Sequence, residues 1–100
     1  MVQAFKPYKL ATKSQVLDGN SNRVELPQVA RSGDKIRVVN SGTAICSLNQ
    51  GGSTITSSDT TDMVMLANSV EVFSLDDGVT HIAIDGASGS TVYITMGTGI

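Results

Sequence analysis

Between its turn signals this chain repeats one pattern, an apolar residue at every second position. Val24 and Leu26, Ile36 and Val38, Ala44, Cys46 and Leu48, Val70 and Val72, Ile82 and Ile84, and Val92, Ile94 and Met96 all follow it. Side chains alternate faces along a strand, so period two describes strands with one buried face and not helices of period 3.6. Three Asp-Gly pairs, in LDGNSNRV, LDDGVT and IDGASGST, interrupt the pattern. Glycine accepts the positive φ of a tight turn and aspartate bonds the backbone ahead of it, so each pair is read as a hairpin or tight turn. Strands are expected near residues 14–18, 22–26, 35–40, 43–49, 69–75, 79–85 and 90–96, with an extra one within 53–57 or 63–66. The expected fold is all-β, a small antiparallel β-sandwich or jelly roll.

Three segments depart from the alternation. DMVMLANSV places Met63, Leu66, Ala67 and Val70 at helical spacing behind a Thr/Asp cap, which leaves a short helix as the alternative to an extended run. The Ser/Thr-rich stretch GGSTITSSDTT, residues 51–61, reads as an exposed loop or ragged edge strand. At the start, Pro7 and three lysines stand among Phe5, Tyr8 and Leu10, a poor central strand but a good extended arm. The expected organisation is an N-terminal arm, residues 1–13, followed by a sandwich domain, residues 14–100.

Composition limits what such a domain does. Apolar residues make up 40% of the 100-residue chain and aromatics 4%, so the core is built from Val, Ile, Leu and Met. A chain of this size leaves about a third of its surface in water and gains from covering an outer face with a partner. A lone cysteine, Cys46, excludes an internal disulfide and points to assembly in a reducing cytosol; its alternation with Ala44 and Leu48 makes it a small core residue. No apolar export segment and no run long enough to span a bilayer is present, so neither a signal peptide nor a membrane partner is expected. The charge is uneven. Lys6, Lys9, Lys13, Arg23, Arg31, Lys35 and Arg37 all precede residue 38, against three acids there, whereas residues 38–100 carry six acids and no Lys or Arg. Such halves either pair across neighbouring strands or complement another protein.

Catalytic chemistry finds little support. THIAIDGASGSTVYITMGTGI contains His81, Asp85 and Ser88, the residue types of a hydrolytic triad, but GASGS lacks the G-x-S-x-G spacing of a nucleophile elbow and lies between two strands. The stretch reads as a hairpin, with His81 facing outward beside Val79, Ala83 and Asp85. One Cys and one His do not make a zinc site, and Asp76, Asp77 and Asp85 are read as turn residues rather than cation ligands. There is no phosphate-binding G-x-x-x-x-G-K-[ST] and no nucleic-acid recognition motif. No catalytic residue, metal, cofactor or nucleic-acid partner is expected.

KIRVVNSGTAICSLNQGG and ANSVEVFSLDDGVTHIAIDGASGSTVYITMGTGI together resemble small tailed-bacteriophage virion proteins of the capsid decoration or cement type. The resemblance runs from about Arg23 to the end, through RVVNSGT (residues 37–43), SVEVF (69–73), GVTHIA (78–83) and TVYITMGTGI. It implies a sandwich or jelly roll assembled in the host bacterial cytoplasm onto the outer capsid surface of a virion. Its partners would be the major capsid protein and copies of itself, as a homodimer or homotrimer. By their chemistry Phe5, Lys6, Tyr8, Lys9 and Lys13 of the arm, with Arg23 and Arg31, are the capsid-binding candidates. The rival expectation is a tail-associated or host-surface module that binds glycan through the Ser/Thr-rich loop, although aromatics are scarce at the expected loop tips.

Overall fold

A computed structural model describes residues 4–58 and 62–99. Eight strands form in chain order: β1 (Lys6–Val16), β2 (Asn22–Glu25), β3 (Lys35–Asn40), β4 (Cys46–Gly51), β5 (Met63–Met65), β6 (Ser69–Ser74), β7 (His81–Gly86) and β8 (Thr91–Thr98). They build two four-stranded antiparallel sheets, β1-β8-β3-β6 and β2-β7-β4-β5. The partners nest: β1 pairs with β8, β2 with β7, β3 with β6 and β4 with β5. That nesting, one long folded-over hairpin wrapped across two sheets, is the jelly roll.

The alternation places the core correctly on most strands. Val24, Ile36, Val38, Cys46, Leu48, Ile82, Ile84, Val92, Ile94 and Met96 are all buried between the sheets. Strand β6 is the exception: Val70 and Val72 were expected to be its inward residues, but they are exposed, and Phe73 is the side chain packed against the core. The cause is register, since Phe73 pairs with the inward Ile36, whereas Val70 and Val72 pair with Val39 and Arg37 on the outer face.

The segment open to a helical reading is extended. Met63 is exposed and Met65 fully buried, which is strand periodicity, and Asn68 at φ 50° makes the turn into β6. The extra strand is therefore at 63–65, and 53–57 forms none.

Two of the three Asp-Gly signals mark turns, and none closes a hairpin. β1 and β2, β6 and β7, and β7 and β8 each lie in opposite sheets, so residues 80–99 form a corner between sheets and the expected hairpin there is not found. The third Asp-Gly pair is not a turn at all: Asp85 and Gly86 end β7, and the reversal falls at residues 87–90 with Gly89 at φ 89°. Gly86 is needed for closeness, because a Cβ there would lie 2.7 Å from Leu17 Cδ1 and 3.0 Å from Cys46 Cβ.

The expected arm is extended, but it is not separate from the sandwich. From Lys6 onward it is the edge strand β1, crossing the boundary expected at residue 13, and it pairs with β8 on both sides of a bulge between Pro7 and Thr12. Pro7 lacks an N–H and is compatible with an edge position, which is why it did not stop the strand. Residues 1–3 of that segment lie outside the described residues, as do 59–61 of the Ser/Thr-rich stretch.

Candidate functional site

The strand register settles which side chains share the outer face of the first sheet. Ser14, Tyr93, Val39 and Val70 form one row across all four strands, and Thr12, Thr95, Arg37 and Val72 form the next. Val16 lies at one end of this surface and Lys35 at the other, its Nζ donating to Ser74 Oγ at 3.0 Å. Val16 is 60% exposed, Val70 51%, Tyr93 42% and Val72 38%, so the face is open and presents several apolar side chains to water. Its charged groups are the cations Arg37, on the second row, and Lys35, at the end beyond it.

The second sheet is different. Its outer face carries Arg23 on β2, Ala83 on β7, and Ser47 and Asn49 on β4. The loop after β4 folds across it. Ser57 Oγ meets Ser47 Oγ at 2.7 Å, Asn49 Nδ2 donates to the Thr56 carbonyl at 3.1 Å, Arg23 donates to the Ile55 carbonyl at 3.4 Å, and Ser57 N–H donates to Ser21 Oγ at 3.0 Å. Ala83, Ser47 and Ser57 are buried as a result. The described part of the Ser/Thr-rich stretch is thus a loop, as expected: Ser53, Thr54 and Thr56 are exposed, while Ser57 is buried against the sheet.

The seven candidate contacts do not form one surface. Lys6, Lys9 and Lys13 are exposed along edge strand β1, Arg23 is on the covered face of the other sheet, and Arg31 is exposed in the β2–β3 connection. Phe5 and Tyr8 are half-buried. Phe5 lies over Gly97, where any side chain would collide with its ring and with the Lys6 carbonyl. Tyr8 packs against the core and its hydroxyl donates to the Asp34 carboxylate, which also accepts from the Arg31 N–H at 2.9 Å. That hydrogen bond, with burial and the nearby negative charge, raises the phenol above its usual pKa. Two expected contacts therefore serve the fold.

No triad geometry exists. His81 and Asp85 share a face of β7 but stand four residues apart, about 13 Å along a strand. His81 Nδ1 instead meets Thr80 Oγ1 at 2.8 Å. Asp76 and Asp77 precede β7 and Asp85 is near its far end, and among the described residues no group of three potential metal ligands gathers. Cys46 is 1% exposed, and burial pushes its thiol up to about 11, which keeps it protonated and unreactive. The opposite charges of the two halves are not spent on each other either: among the described residues no Lys or Arg forms an ion pair within the chain.

No family model and no curated protein matches this chain. Among solved structures, it is similar to a chain from Bacillus endospore appendages, described as forming a novel family of disulfide-linked pili, with a TM-score of 0.52 at 10% identity over 99% of this chain and 89% of that one. At that identity the likeness is one of fold: a small β-sandwich.

Proposed function

We propose that this protein is a non-catalytic structural subunit that decorates the outer surface of a bacteriophage capsid and strengthens contacts between major capsid subunits. One observation carries the reading: the sandwich covers part of the outer face of one sheet with its own loop and leaves Tyr93, Val70, Val72 and Val16 of the other sheet in water. An open face with exposed Tyr and Val side chains and with Arg37 and Lys35 among them fits an apolar surface bearing carboxylates. Many such subunits, each clamping neighbouring capsid proteins, add stability by mass action and multivalency. The lysines of β1 extend the same sheet at its edge and serve as its rim.

The test is binding to undecorated capsids, read by co-sedimentation and by the heat at which the shells open. The wild-type chain should bind and raise that temperature. Tyr93→Glu and Val70→Glu should each weaken binding by about tenfold or more, as expected for residues at the centre of a desolvated contact. Retained binding by both folded variants would sink the face as the site.

A second reading is favoured by the fold likeness to the appendage chain: a repeating subunit of an extracellular fibre. It predicts filaments from purified protein without any capsid. Disulfide linkage is described for that protein; here the lone thiol is buried, so a fibre of this chain would be held by non-covalent contacts.

A further inference from the structure

Attachment through the sheet face leaves two features at the edges of the sandwich unexplained. On β1, pairing stops after Pro7 opposite Gly97 and resumes at Thr12 opposite Thr95, so residues 8–11 face Met96 alone. Tyr8 and Ala11 turn toward the core, and Leu10 is left at the tip with its side chain fully exposed, 101%. Its φ is 53°, in the left-handed region that a side chain with a Cβ disfavours. A strained, fully hydrated leucine at a bulge gains nothing from this chain.

At the opposite edge the sandwich is not closed. β5 has only three residues, and between it and β6 opens a groove of about 320 Å³ lined by Ile36, Val38, Leu48, Phe73, Leu75 and Met63 among others. It is roomier than the ~150 Å³ apolar cavity that accepts a benzene ring. The order β1-β8-β3-β6 separates leucine and groove by three strand spacings, about 14 Å, so a chain's own Leu10 is at the far edge from its groove. The charge around them is complementary. Lys6, Lys9 and Lys13 are exposed on β1, whereas Asp62 lines the groove, Glu71 sits on the same side of β6 as Phe73, and Asp76 and Asp77 follow.

We infer that Leu10 of one copy inserts into the β5–β6 groove of the next, with the β1 lysines against the acidic rim, so that copies join edge to edge. The inference rests on the reading of the protein as an assembling structural subunit, and names a second copy as one of its partners. Because insert and receptor are different surfaces on opposite edges, the contact is heterologous and produces a ring if the rotation closes or a row if it does not. The bulge breaks the β1 ladder, so the join is made by side-chain insertion and not by simple strand addition.

Sedimentation velocity of the purified full chain, over a concentration series at low and high salt, tests this. Wild type should form species that grow beyond dimers with concentration and dissociate with salt. Leu10→Asp and, separately, Met63→Arg on the exposed rim should remain monomeric with unchanged circular dichroism and melting. Should Met63→Arg melt early, Glu71→Lys replaces it. Mixing the two variants should produce dimers and nothing larger, because each keeps one half of the contact. A wild type that stays monomeric, a Leu10→Asp variant that associates normally, or a mixture that stays monomeric would each overturn the inference. Capsid binding by such a monomer would leave the proposed function standing, which keeps the two failures distinct.

Discussion

Both sheets have four antiparallel strands and an inner face of branched aliphatics, yet their outer faces have opposite fates. On β7 the outward Ala83 is fully buried, sealed by the loop carrying Ile55, Thr56 and Ser57. On β8 the outward Tyr93 is 42% exposed, with Val39 and Val70 in the same row. A chain that covers one face with polar residues and exposes apolar ones on the other has not simply run short of cover. In the proposed function the open face is where a partner's surface completes the structure, and the covered face is where the chain's own loop does so.

Placing one charge on each face is the strongest way to break this comparison. Ala83→Glu buries a carboxylate under the loop and should cost about 3–5 kcal/mol, whereas Tyr93→Glu faces water and should cost about 1 kcal/mol or less. Urea unfolding of the two variants reads the difference directly. Equal losses would mean that the loop does not seal the second sheet, or that the first sheet is not open.

A smaller effect sharpens what holds the cover down. Ser47→Ala leaves the buried Ser57 hydroxyl without its partner and should cost about 1–2 kcal/mol, as should Ser57→Ala. The double variant should cost less than the two added together, since it removes both polar groups at once. Strict additivity would show that the two hydroxyls are not coupled.

The thiol beneath the second sheet provides the finest probe. Folding raises Cys46 from 9.0 to about 11 by burial, so the folded state keeps a proton that the unfolded state has lost in this window. Stability contributed by the neutral thiol is level below about pH 9 and falls as pH rises toward 11. Tyr8 is raised as well and contributes the same sign, so the Cys46 share is the slope that disappears in Cys46→Ala. Thiol labelling of native protein should also be far slower than in urea. Rapid native labelling would show the second sheet to be less closed than its burial implies.

Much of this fold was legible in the sequence because strand residues carry a local signal. Ile82 and Ile84, or Val92, Ile94 and Met96, bury on alternate positions whatever sheet they join. The candidate site was less legible. Val70 and Val72 alternate as well as any core pair, and only their register against Val39 and Arg37 shows that they face out. Phe5 and Tyr8 have the aromatic-basic look of a contact segment, but Gly97 and Asp34, distant in sequence, hold them against the fold. Leu10 was one apolar residue in a basic stretch until the bulge on β1 isolated it.

By itself, then, the sequence determined most of the strands, that the fold is all-β, and that most even-spaced aliphatics point inward, because the pleat and the turn residues act over a few neighbours. Tertiary structure alone decided that an Asp-Gly turn passes the chain to the other sheet instead of to the next strand, that Gly86 serves packing and not a turn, and that the centre of one outer face is covered while the other stays open. Those outcomes depend on which strands meet across the chain, β1 with β8 and β2 with β7, and such pairing is set by the burial of the whole sandwich rather than by any segment within it.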